Sequence, residues 1–159
     1  MHLVGYSDVD WGGDLDEQKS TSGYSFLLSG RAISWSNKKQ SYITLSTMEA
    51  EFVACSSAVQ EAVWLRRFLG HLDVVTFSIE TVTIYCDSMA ALAYAKDPKY
   101  HGRTKHIDMR YHFIRDMVAQ KEVILTHILT SRMLADPMTK PIGREAFVTH
   151  VRALGLRRW

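Results

Sequence analysis

At 159 residues and 47% hydrophobic content, the chain is long enough to bury one substantial core and too apolar to be disordered or fibrous. Charged or polar side chains interrupt every apolar stretch, including residues 58–67, and Met1-His2-Leu3-Val4 lacks a signal-peptide layout. A soluble intracellular protein, or a piece of one, is therefore expected, with no membrane partner. The formal charge of +2 is too small to argue for a polyanion by itself, but acids crowd Asp8 to Glu17 while bases gather at Lys38-Lys39 and from Lys96 through Arg115.

In chain order, Leu3 to Asp10 reads as a strand ended by Gly12-Gly13 and an acidic turn. Gly23–Leu28 and Ala32–Ser36 read as two further strands, joined tightly through Ser29-Gly30-Arg31 as an antiparallel hairpin. Ser46 opens a long helix on which Phe52, Cys55, Val59, Ala62, Val63 and Leu69 recur at helical spacing, stopping near Gly70. Val82–Cys86 is the mostly apolar run expected of a central strand covered on both faces. A short helix from Met89 to Lys96 follows Ser88, and Ile107, Tyr111, Ile114 and Val118 mark the inner stripe of a third helix. Val123–Ile128 is the last strand, followed by a short helix carrying Asp136 and a terminal helix over 144–154. A meander followed by alternating helices and strands predicts a mixed sheet with helices on its faces. Cys55 and Cys86 have neither the number nor the spacing of a disulfide framework or zinc site, and read as free buried thiols.

Four acids stand where a strand ends or a helix begins: Asp8, Glu49, Asp87 and Asp136. An α/β fold gathers such positions into a crevice outside the carboxyl ends of its strands. Acids converging there repel one another unless a positive charge sits between them, and hard divalent cations with oxygen ligands supply it. Asp8 and Asp10 share one face of their strand, so both could look into the site. Ser46-x-x-Glu49 also matches a capping box, in which the glutamate reaches back to backbone at the helix start. Against that, Glu49 shares a helical face with Phe52 and Val59, which points it toward the sheet, whereas Glu51 lies about 200° round the helix and is expected to face elsewhere.

The order strand-Asp8, Ser46-Thr47-Met48-Glu49-Ala50-Glu51, Tyr85-Cys86-Asp87-Ser88 and Leu134-Ala135-Asp136 resembles the ribonuclease H domain of copia-type LTR retrotransposon polyproteins (Gag-Pol). Lys19–Tyr24, Ile33–Gln40 and Arg103–Arg115 resemble the same domain, so the likeness covers the chain almost from end to end. It implies a ribonuclease H-like α/β fold over residues 1–159: a mixed five-stranded sheet of an antiparallel three-strand meander plus parallel strands, with helices on both faces. It further implies that Asp8, Glu49, Asp87 and Asp136 hold two Mg²⁺ (or Mn²⁺) ions for hydrolysis of the RNA strand of an RNA–DNA hybrid during reverse transcription. Asp10 becomes a turn or supporting residue on this reading.

The resemblance also implies hybrid binding by Trp11, Gly12, Lys38, Lys39, Arg103, Lys105 and Arg110, with basic side chains on phosphates and backbone near Gly12 on the 2′-hydroxyl. Trp11, Trp35, Trp64 and Tyr24 are expected in the core or lining grooves. A reverse transcriptase domain would precede the segment in its parent polyprotein, placed in a cytoplasmic virus-like particle or the nucleus. Residues 129–134 are too short for the His-bearing, Gly-rich loop of many ribonucleases H, and His127 reads as a packing residue of its strand.

Overall fold

The computed structural model describes residues 2–14, 16–72, 81–97 and 105–156, with the side chains of Lys105 and His106 outside that set. Five strands, β1 (Leu3–Asp10), β2 (Thr21–Leu28), β3 (Arg31–Lys39), β4 (Val82–Cys86) and β5 (Val123–His127), form one sheet in the order β3-β2-β1-β4-β5. The first three are an antiparallel meander, while β4 pairs in parallel with β1 and with β5. The β2–β3 turn is tight because Ser29 and Gly30 both take positive φ (50° and 80°), the backbone a two-residue hairpin needs to match strand twist.

The helices are α1 (Thr47–His71), α2 (Met89–Lys96), α3 (Lys105–Ala119), α4 (Asp136–Thr139) and α5 (Arg144–Ala153), with a 3-10 turn at Thr130–Arg132. This is the mixed sheet with helices on both faces that the sequence predicts. Alternation along β1 sorts its two sides: Gly5 lies under the Phe26 ring and Val9 packs with Ala50 and Ala54 of α1, while Asp8 meets Thr139 of α4 on the other side. Phe52 of α1 stands edge-on to Tyr94 of α2 at 4.7 Å between ring centres, and Tyr94 to Tyr111 of α3 at 5.9 Å, so aromatic pairs tie the three helices over the sheet. Both cysteines are free and buried. Trp11, Trp35 and Trp64 are 50%, 61% and 55% exposed and so stand outside the core, but Trp35 and Trp64 line grooves as expected, Trp35 with Pro137 and Phe147 and Trp64 with Phe68 and Phe113. Among the described residues no helix is long and apolar enough to cross a membrane.

Gly5 has no room for a side chain, because an added Cβ would run into the buried Phe26 ring. Gly5→Ala is expected to lower the unfolding free energy by about 1–3 kcal/mol through overpacking, measured as a shift of the urea midpoint, with partial recovery on adding Phe26→Leu.

Candidate active site

Strands β1 and β4 run side by side with Ser7 opposite Cys86, so the next residue of each, Asp8 and Asp87, leaves the same end of the sheet. Asp8 is 1% exposed. On its other flank it pairs with Gly23 of β2, and there the missing side chain matters: a Cβ on Gly23 would lie 2.6 Å from Thr139 Cγ2 and 2.8 Å from Met138 Cβ. Glycine lets α4 lie directly on the sheet, where the Thr139 hydroxyl donates to Asp8 Oδ2.

Helix α4 brings two charged groups with it. Asp136 opens the helix, and Lys140 at its end places Nζ 3.0 Å from Asp136 Oδ1 and 3.6 Å from Asp8 Oδ2. Asp87 is held from the other side, accepting a hydrogen bond of 2.7 Å from the Thr130 hydroxyl of the 3-10 turn. Asp8, Asp87 and Asp136 thus come together at one end of the sheet.

The glutamate of the group is Glu51, which corrects the assignment of Glu49. The Ser46 hydroxyl caps α1 by accepting from the Glu49 N–H at 3.1 Å, and the Glu49 carboxylate accepts from the Leu45 N–H at 2.9 Å. That arrangement is a capping box shifted by one residue at the backbone end, and it commits Glu49 to the helix start. Glu51 points the opposite way. Its carboxylate, Cys86 Sγ and an Asp87 carboxylate oxygen all lie within 4.8 Å of one another, and Glu51 Oε2 is buried without a hydrogen-bond partner.

The electrostatics follow from this crowding. Burial, followed by the Asp8 and Asp87 charges, pushes the Glu51 carboxyl up to about 9. Burial likewise raises Asp8 to about 6, with Asp136 and Asp87 adding to the rise and the Thr139 hydrogen bond and the Lys140 charge opposing it. Burial pushes the Cys55 thiol up to about 12 and raises the Cys86 thiol as well, which leaves both protonated in the metal-free protein.

The remaining expected contacts divide. Trp11 is exposed beside the site strand, and the Gly12 N–H, at φ 61°, donates to Ser20 Oγ at 3.1 Å. Asp10 lies against Gly13 in the same turn. Lys38, Lys39 and Arg110 share one cleft of about 450 Å³ with Tyr24, Gln40 and Tyr42, between β3 and α1. Lys39 is nevertheless committed to Asp14 and Glu17, an ion pair that also holds the Asp14 carboxyl down at about 2. Arg110 donates to Ser56 Oγ at 3.0 Å. Arg103 and the Lys105 side chain lie outside the described residues.

No family model matches the chain. It is 44% identical over 145 residues, 91% of its length, to the retrovirus-related Pol polyprotein from transposon TNT 1-94 of Nicotiana tabacum. It is also 38% identical over 156 residues to that from transposon RE2 of Arabidopsis thaliana. The chain belongs to the copia-type retrotransposon Pol family. It spans only 11% of the length of these polyproteins. Among solved structures, the fold is shared with RNase H1 of the archaeon Halobacterium salinarum (TM-score 0.61, 13% identity, 94% of this chain and 99% of that one). It is shared equally with the N-terminal RNase H domain of a Mycobacterium tuberculosis protein (TM-score 0.62, 13% identity, 96% and 97%). This Pol segment therefore carries the ribonuclease H fold.

The group suits hard cations: carboxylate oxygens predominate, and a buried Glu51 oxygen lacks a partner. Four contributors escaped the sequence reading. Glu51 continues the buried Cys55, Val59, Ala62 stripe one turn back, Lys140 is four residues after Asp136 and just past the end of α4, and Thr139 and Thr130 carried no signal.

Raised carboxyls make metal-free stability fall with pH. The folded state binds more protons than the unfolded one between the ordinary Glu value of 4.5 and about 9 for Glu51, and between 3.8 and about 6 for Asp8, so stability drops across that window. Thermal melts in EDTA should show a Tm that declines from pH 5 to pH 9, and Glu51→Gln should flatten the decline above pH 6.

Proposed function

We propose that this segment, as one domain over residues 1–159, is a metal-dependent endonuclease that hydrolyses the RNA strand of RNA–DNA hybrids in retrotransposon reverse transcription. The observation that carries the reading is the convergence of Asp8, Glu51, Asp87 and Asp136 at the parallel ends of β1 and β4. The fold match with ribonucleases H supports it, and one such neighbour, LC11-RNase H1, has been solved with an RNA/DNA hybrid (TM-score 0.58).

On this reading the four carboxylates are ligands for two Mg²⁺ or Mn²⁺ ions, which when bound supply an activated water and neutralise charge on the scissile phosphate and its leaving oxygen. The chain's own residues do the rest. Thr139 and Thr130 fix the Asp8 and Asp87 carboxylates by hydrogen bonds, so that their free lone pairs face the crevice. The cleft holding Lys38 and Arg110 places positive charge beside the middle of α1, where it would hold phosphates of the duplex without reading sequence. Lys39 contributes less, since Asp14 already holds it. The turn at Trp11 and Gly12 supplies backbone beside the 2′-hydroxyls that distinguish RNA. A preceding reverse transcriptase domain in the parent polyprotein and an intracellular setting, in a particle or the nucleus, complete the proposal. The likeness to full transposon polyproteins and to a foamy virus protease-reverse transcriptase supports that context.

A cleavage assay with Mg²⁺ on RNA–DNA hybrid, double-stranded RNA and double-stranded DNA tests the reading. Hybrid alone should be cut, Asp87→Asn and Glu51→Gln should each lose at least about a hundredfold in rate with the fold intact, and Glu49→Gln should stay within about threefold of the parent. Equal activity of Glu51→Gln and the parent would overturn the ligand set. In a separate binding titration with hybrid, Lys38→Ala should lower the slope of log affinity against log salt by about one unit.

A further inference from the structure

Among the described residues, Lys140 is the cation that sits in the acidic crevice and opposes binding of another. Its backbone has left α4 (φ −138°, ψ 152°), and its Nζ lies between Asp136 and Asp8, carboxylates supplied by α4 and β1. The Asp8 side chain is 2% exposed, so a neighbouring positive charge there is felt with little screening. The lysine is different: a third of its side chain is exposed, and four flexible carbons give its ammonium a path to water. Among the described residues, Lys140 is the cation whose charge acts on both Asp8 and Glu51. Any divalent ion held by Asp8 and Asp136 binds the same two carboxylates and is repelled by an ammonium beside them.

We propose that Lys140 is a displaceable internal counter-ion, which holds the Asp8–Asp136 pair together in the metal-free protein and gives up that place when a divalent cation binds. This rests on the metal reading of the site. The lysine then has two opposed effects: it stabilises the empty crevice and weakens the affinity for the ion that replaces it. The threshold concentration at which the site fills is set partly by this side chain.

The test uses the full chain, stripped with EDTA and dialysed, with no nucleic acid present. Calorimetric titration with Mn²⁺ should show Lys140→Gln binding about tenfold tighter than the parent, and Lys140→Arg binding close to the parent. Without metal, Lys140→Gln should melt lower than the parent, and saturating Mn²⁺ should close the gap. A second measurement needs no variant: acetylation of Lys140 by an amine-reactive ester, followed by peptide mass spectrometry, should run several-fold faster with saturating Mg²⁺ than in EDTA, since the freed amine loses its carboxylate partners. Mn²⁺ binding by the parent with equal or weaker binding by Lys140→Gln, or acetylation slowed by Mg²⁺, would overturn the counter-ion role and leave the metal reading standing. Absence of Mn²⁺ binding in both proteins would overturn both.

Discussion

Crowding of carboxylates at the ends of β1 and β4 is the constraint around which the rest of the structure is arranged. Two unit charges 4 Å apart repel by about 4 kcal/mol at an effective dielectric near 20, and several such pairs would be enough to unfold a domain of ordinary stability. The protein meets this repulsion locally. Lys140 neutralises part of the charge, Thr139 and Thr130 hydroxyls donate to Asp8 and Asp87, and Glu51 holds its proton well above the usual carboxylate range. Each remedy depends on backbone placed from a distance. Gly23 must be bare for α4 to approach, and β4 must lie parallel to β1 for Asp87 to stand beside Asp8.

The architecture was legible because its signals are local. Strand β1 and helix α2 have the predicted bounds, since strand alternation and the Ser88 helix start both act within a few residues. Strands β2 and β3 run longer than expected, to Thr21 and Lys39, because the meander ladder continues past the apolar stretch on backbone hydrogen bonds that side-chain pattern does not register. Glu49 and Glu51 show where local signals mislead. Both lie in the first turns of α1, and a stripe traced from Phe52 and Val59 favours one while a stripe traced from Cys55 and Ala62 favours the other. The capping demand of the helix start decides between them: the residue three after Ser46 is drawn back to the Leu45 N–H, and the next acid is left facing the sheet.

Partners contributed across the fold were not legible. Nothing in Met138-Thr139-Lys140-Pro141 announces a contact with the first strand, since that contact depends on how α4 docks over Gly23. Lys39 is the converse case, a base that looks free in the sequence but is held by Asp14 across the β1–β2 connection. The cleft that it shares with Lys38 and Arg110 is thus less positive than residue counting suggests, and its polarity comes as much from hydroxyls and Gln40 as from bases.

The bond from Thr139 to Asp8 joins residues 131 positions apart. A ribosome adding about 5–20 residues per second makes the first acid of the crevice roughly ten seconds before the hydroxyl and ammonium that settle it. Until α4 emerges, a nascent meander carries Asp8 without either partner, and the crevice exists only as separate pieces on separate strands. The crevice therefore cannot be complete until the last of its contributors, Thr139 and Lys140, has been made.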